Sequence, residues 1–297
     1  MGYGSYSYEN RTTRATTLGY TTKSTYEIFQ QKNINSAMSP YGVDIREARD
    51  SEDHPESFPI VIALDVTGSM GSVPHFLVKE GLPNLMKRII DDGIKSPQVL
   101  FVAVGDHECD SAPLQVGQFE ASDELLDKWL TDVYLEGGGG GNSGESYHLA
   151  WYFAGKHTVT DSLEKRGKKG VLITIGDEPV LRDIPLLALK NIMGDGQYET
   201  YTAVKLFEMA QEKYDCYHLH IKQTNSGSRK HVQDGWKQLL GDKAVMIDRR
   251  EDIAQKIADI VINSYKVGTT ENQPSLNEQT DKSEVKPTTT IKEEILL

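Results

Sequence analysis

Residues 60 to 71 read Ile-Val-Ile-Ala-Leu-Asp-Val-Thr-Gly-Ser-Met-Gly, an apolar run that delivers Asp65, Thr67 and Ser69 on alternate residues. One carboxylate and two hydroxyls are hard oxygen donors. Such a set suits Mg²⁺, which binds through a few oxygens and keeps water-filled or open positions. Two other segments bring oxygen donors of the same kind. In Thr174-Ile175-Gly176-Asp177-Glu178 an acid follows a second apolar run, and Glu136 to Ser146 holds five consecutive glycines followed by Asn142-Ser143-Gly144-Glu145-Ser146. Five glycines cost conformational entropy and pack nothing, so a backbone that turns tightly or approaches something closely is expected there. Glu145 is the candidate donor of that turn.

The elements that must carry these residues alternate in type. Residues 60 to 64, 99 to 104, 171 to 175, 216 to 221 and 244 to 247 are short runs rich in β-branched and aliphatic residues or alternating apolar ones, most of them suited to strands buried on both faces. Helices fit the gaps at Pro74 to Asp92, Ser122 to Val133, Ser143 to Lys156, Thr200 to Lys213, Ser228 to Leu240 and Glu251 to Tyr265. Pro113 to Glu120 alternates apolar and polar residues, as an edge strand antiparallel to 99 to 104 does. The pattern predicts an α/β doubly wound fold: a mostly parallel central sheet, one antiparallel edge strand, and helices on both faces. Such sheets bind ligands at the carboxyl ends of their strands, where Asp65, Asp106 and Asp177 all fall.

The segment Asp65-Val66-Thr67-Gly68-Ser69 resembles the D-x-S/T-x-S signature of von Willebrand factor A domains, and the order of elements over about residues 56 to 267 is similar too. Within that superfamily the chain is more similar to the branch whose first motif reads Thr-Gly-Ser-Met-Gly. The resemblance implies a metal-ion-dependent adhesion site, in which an acidic group of a partner completes the coordination of Mg²⁺ or, alternatively, Mn²⁺ or Ca²⁺. It departs from the commoner members at Gly140-Gly141-Asn142, where those carry Gly-Gly-Thr with a ligating threonine. The resemblance implies that Glu145 replaces that ligand, as a glutamate does in integrin β-chain I-like domains, leaving Asp65, Glu145 and Asp177 as three carboxylates around one ion. Asn142 and Asp106 are secondary candidates.

Plainer readings stand beside these. Asp65 and Thr67 are residue types that cap helices, and Ser69 hydrogen-bonds locally in many loops. The loop Gly105-Asp106-His107-Glu108-Cys109-Asp110 could hold a second cation or only shape the crevice, but no CxxC or HxxxH partner gives it a zinc set. His218 and His220 alternate on one face of an expected strand, and His148 and Trp151 share a helix face; packing explains both pairs.

Charge and composition narrow the classes of partner. Lys plus Arg is 32 against 44 Asp plus Glu, a net charge of -12, which opposes attraction to nucleic acid or anionic lipid. The longest apolar runs are too short to span a bilayer, and the amino terminus lacks a signal-peptide profile, so neither membrane nor nucleic acid is expected as a partner. Two cysteines without a disulfide framework, Cys109 and Cys216, point to a reducing cytoplasm. Residues 1–55 read as a Tyr/Thr-rich extension: six of the 14 tyrosines fall in the first 43 residues with no sustained period, which predicts a mobile arm. Residues 56–267 read as the von Willebrand factor A-like domain. Residues 268–297, rich in Thr, Glu, Lys, Asn and Gln, read as a disordered tail.

The resulting expectation is a metal-dependent module that grips a partner's Asp or Glu, in the assembly or regulation of an intracellular complex, and is not an enzyme. Two alternatives remain open: a metal-dependent hydrolase or phosphatase on the same sheet, and a structural protein whose ion only stabilises loops. A phosphatase of the haloacid dehalogenase type would place a second Asp where this chain has Thr67.

Overall fold

Phe58–Asp65 is buried at every position in the computed structural model, which describes residues 4–137, 142 and 144–270. A strand wrapped by helices on both faces must be apolar throughout, and this one is until its last residue. Along the chain, helices α1 (Tyr8–Leu18) and α2 (Thr25–Ile28) and strand β1 (Arg46–Ala48) precede it as β2. There follow α3 (Val73–Phe76), α4 (Leu82–Asp91), β3 (Pro97–Val104), β4 (Leu114–Glu120), α5 (Asp123–Thr131), α6 (Tyr147–Lys156), β5 (Thr158–Thr160) and α7 (Asp161–Arg166). The last third holds β6 (Gly170–Gly176), β7 (Asp183–Ile184), α8 (Leu186–Met193), β8 (Tyr201–Thr202), α9 (Ala203–Gln211), β9 (Tyr214–Ile221), α10 (Lys230–Leu240), β10 (Ala244–Ile247) and α11 (Ile253–Thr270).

Six strands form the central sheet in the order β10-β9-β6-β2-β3-β4, parallel except for β4, which pairs antiparallel with β3. Phe58, Ile60, Ile62 and Leu64 point into a core shared with α1, α3, α4, α5 and α11. Val61 and Ala63 point the other way, into a core shared with α6, α8, α9 and α10. The doubly wound α/β fold expected from the sequence is therefore the fold observed. Strand order reverses direction at β2: the chain crosses to β3 on one side and later to β6 on the other. That places a crevice at the carboxyl ends of β2 and β6, where such sheets hold ligands.

Several sequence expectations need correction. The amino-terminal arm is not free: α1 lies on the sheet domain, with Ala15, Tyr20, Ile28, Phe29 and Met38 in the first core. Its hold is ionic as well as apolar, since Arg11 is fully buried against Asp127 at 2.7 Å and Arg14 pairs with Asp123. The helix expected over residues 74 to 92 is interrupted by a π-helical turn at Leu77–Gly81. In that register the Val78 carbonyl would bond the N–H of residue 83, which is a proline and has none. The Arg11 guanidinium supplies the missing donor at 2.5 Å. The glycine-led helix starts at Tyr147 rather than Ser143, the next predicted one starts at Ala203 rather than Thr200, and α8 was not anticipated. Residues 268–270 continue α11, so the tail boundary drawn at 268 falls inside a helix. Most of that tail (271–297), most of the glycine run (138–141) and Ser143 lie outside the described residues.

Candidate functional site

Leu64 of β2 and Ile175 of β6 are paired in register, so the residues just beyond them, Asp65 and Asp177, emerge side by side at the crevice, and both are fully buried. From Asp65 the backbone turns tightly. The Thr67 N–H and Thr67 Oγ1 both donate to Asp65 Oδ1, at 2.9 and 2.6 Å, an Asx-type turn that fixes the carboxylate and the hydroxyl together. Thr67 Oγ1 lies 3.3 Å from Ser69 Oγ, and Ser69 Oγ donates to Asp177 Oδ1 at 2.8 Å. Four predicted residues thus form one hydrogen-bonded chain, Asp65-Thr67-Ser69-Asp177, bridging two strands. Neither Asp65 nor Thr67 caps α3, whose N-cap position is Ser72; Thr67 holds the N-cap position of the 3-10 turn Gly68–Met70, but its side chain makes no cap hydrogen bond there.

Glu145 flanks this chain from a different element. Its backbone pairs with the segment after β6, through Glu145 N–H to Pro179 O and Leu181 N–H to Glu145 O, while Ser146 N–H bonds Gly105 O after β3. Burial, then the charge of Asp65, holds the Glu145 carboxyl well above its ordinary pKa. Burial and the neighbouring charge of Asp177 do the same to Asp65. Both shifts report burial first and, second, negative charge crowded at the rim. Asp177 Oδ2, Glu145 Oε2 and Asp106 Oδ2 are buried and have no hydrogen-bond partner among the described residues. Buried anionic oxygens in that condition are costly unless a cation or a proton satisfies them.

The predicted donors are not all drawn together. Among the described residues no group of three or more His, Cys, Asp or Glu side chains is arranged to hold a metal ion, so the ring of Asp65, Glu145 and Asp177 is not formed. What converges is two carboxylates and two hydroxyls, with Glu145 beside them. Asn142 is exposed and its amide donates to Glu108 Oε2 at 2.7 Å. Asp106 is tied to its own loop through one oxygen, Oδ1 accepting from Glu108 N–H at 2.8 Å while its backbone N–H donates to Asp110 Oδ2 at 2.7 Å, and its Oδ2 stays unpartnered among the described residues. Two carboxylates and two hydroxyls fit a small hard cation that completes its shell with water.

One residue of the site escaped sequence reasoning. Tyr147, at the first position of α6 and fully buried, donates its hydroxyl proton to Asp65 Oδ2 at 2.6 Å. A buried tyrosine needs a partner for its O–H, which was the available signal, but nothing in the sequence said the partner lay 82 positions earlier. His218, beneath it, stacks on Trp236 with ring centroids 3.5 Å apart, and its Nδ1 lies 2.9 Å from Thr174 Oγ1. The histidine pair is core, as expected, with His220 Nε2 meeting Gly227 O at 2.9 Å.

Beside the rim lies a cleft of about 320 Å³, lined by Thr25, Tyr26, Val66, Thr67, Pro74 and Leu135 among others. The arm therefore supplies one wall of the space in front of Thr67. A larger cavity of about 690 Å³, between Pro40 and Tyr41 of the arm, the loop at His107 to Leu114, and α8, is lined by none of the predicted site residues.

No protein-family model matches this chain, and no curated protein matches it. Solved structures do. The pilus adhesin SpaC from Lactobacillus rhamnosus GG, in its open conformation, is similar over 75% of this chain at 10% identity and a TM-score of 0.47, and the chain spans about a third of that protein, 31%. The vWF domain of the type V pili tip protein Mfa5 from Porphyromonas gingivalis is similar over 74% of this chain and 98% of its own, at 9% identity and a TM-score of 0.43. An aerotolerance-related membrane protein from Bacteroides fragilis NCTC 9343 is similar over 69% of this chain and 98% of its own, at 12% identity and a TM-score of 0.39. In this chain no helix among the described residues is long and apolar enough to cross a membrane.

Proposed function

We propose that this chain is a protein-binding module that holds Mg²⁺ at the crevice between β2 and β6 and takes an acidic side chain of a partner as a further ligand. The observation that carries this reading is the bridge Asp65-Thr67-Ser69-Asp177, with Asp177 Oδ2 buried and unpartnered at its end. Thr67, Ser69 and Asp177 would hold the ion, with Asp65 fixing the turn and Glu145 adding charge from the side. When bound, the ion supplies a positive coordination place for an anionic oxygen. Surrounded by carboxylates, it is a weak electrophile but still accepts another carboxylate, which favours recognition over turnover. Ser146, whose Oγ lies 2.8 Å from His107 Nδ1, is fully buried and also accepts from the His107 N–H, so this hydroxyl serves the turn rather than attacking a substrate. The cleft at Tyr26 and Pro74 would take the side chain next to the partner's acid. We place the module in the assembly or regulation of a cytoplasmic complex.

Affinity capture from the native host tests this directly. A partner retained in MgCl₂, released by EDTA and recovered on adding Mg²⁺ back is the expected result; retention unaffected by EDTA would reduce the ion to a loop stabiliser. Turnover of a phosphate ester that disappears in Asp65→Asn would instead make the chain a hydrolase. Within the site, Glu145→Ala should weaken Mg²⁺ about tenfold, whereas Asn142→Ala, whose amide serves Glu108, should change it little. Calorimetry giving the reverse order would place the wrong end of the glycine turn beside the ion.

A further inference from the structure

The carboxylate oxygens at the crevice are not equally available. Asp65 Oδ2 is taken by the Tyr147 hydroxyl, and Oδ1 by two donors from Thr67. Asp177 Oδ1 is taken by Ser69 Oγ, which leaves Oδ2. Neither acid presents both oxygens outward. Ca²⁺ takes about 6–8 oxygens at about 2.3–2.6 Å and often a two-oxygen carboxylate, whereas Mg²⁺ demands octahedral geometry at about 2.0–2.1 Å and accepts single oxygens and waters.

Tyr147 is held in place on all sides. Its ring meets His218 and Trp236 edge-on, with centroids at 5.2 and 5.4 Å. The Glu178 N–H donates to its oxygen at 3.4 Å, so the phenol proton is what remains for Asp65. Gly176, the last residue of β6, makes room for it: a Cβ there would lie 1.9 Å from the tyrosine oxygen. The hydroxyl therefore stands between β2 and β6 only because residue 176 has no side chain.

On the metal-dependent reading above, we propose that Tyr147 determines ion specificity: by holding Asp65 Oδ2, the one oxygen of that acid that Thr67 does not bind, it withholds a donor that the larger shell of Ca²⁺ would use and so selects Mg²⁺ over Ca²⁺. Removing only the hydroxyl frees a buried anionic oxygen and opens the larger coordination that Ca²⁺ prefers. A merely structural role would weaken both ions alike.

Titration calorimetry of the full chain with MgCl₂ and with CaCl₂ separates these outcomes. The wild type should bind Mg²⁺ the more tightly, and Tyr147→Phe, which keeps the packed ring, should shift the Ca²⁺/Mg²⁺ affinity ratio toward Ca²⁺ by about tenfold. Tyr147→Met, which also lacks the hydroxyl and adapts to the space left by the ring, should move the ratio in the same direction and decides the matter if Tyr147→Phe does not fold. An unchanged ratio, or a wild type that prefers Ca²⁺, overturns the role of Tyr147 and leaves the cation site standing. A wild type that binds neither ion overturns the site and the role together.

Discussion

Asp65→Ala should lower Mg²⁺ affinity by at least about 100-fold while leaving the helical and strand content of the chain unchanged. Asp65 is the last residue of β2, so truncating it removes no apolar contact from either core. Among the described residues its carboxylate makes no ion pair; it accepts from Thr67 and Tyr147, and burial, then the like charge of Asp177, raises its pKa. Truncation therefore relieves repulsion but also releases the Thr67 turn and leaves the buried Tyr147 hydroxyl without its acceptor. The metal-free melting temperature should change little, because the relieved repulsion and the orphaned hydroxyl oppose each other, while binding is lost. Calorimetry and circular dichroism on the two proteins check both halves, and an unchanged affinity would remove the crevice from consideration as an ion site.

The second large effect is on stability. Arg11→Ala should destabilise the fold by about 3–5 kcal/mol, because it breaks a buried ion pair and leaves Asp127 only the longer contact with Arg14 at 3.7 Å. Both side chains are buried, at 0% and 4% exposure, so solvent does not screen the loss. The same change also orphans the Val78 carbonyl in the π-helical turn, and removes the guanidinium that lies 5.3 Å from the centre of the Tyr20 ring. Replacing the pair together, Arg11→Met with Asp127→Leu, should recover much of the loss, since matched apolar residues avoid an isolated charge. Urea denaturation monitored by tryptophan fluorescence reads the difference. A loss below about 1 kcal/mol, the range of an exposed pair, would mean that α1 is not part of the cooperative unit.

These two residues also mark what a reader of the sequence can and cannot see. The strands were legible because a segment buried on both faces is apolar without interruption, and Asp65 was conspicuous as the polar residue ending such a run. Arg11 was invisible for the opposite reason. Helix α1 reads Tyr-Glu-Asn-Arg-Thr-Thr-Arg-Ala-Thr-Thr-Leu and carries no apolar stripe, because much of its attachment is ionic and reaches residues more than a hundred positions away. The π-helical turn left a trace in Pro83, a proline inside a helical pattern, but its remedy came from the arm. At the site, Thr67 and Ser69 share a local segment with Asp65 and were readable together. Tyr147 and Gly176 were not, since their meaning is a contact between α6 and the end of β6 that only the folded chain creates.

Tyr26 lines the cleft in front of Thr67 yet is 80% exposed. Substitution there disturbs neither the buried sheet nor the oxygen donors at its rim. On the proposed reading, a change at residue 26 would therefore retune which partner is recognised, while the groups that would grip the ion stay as they are.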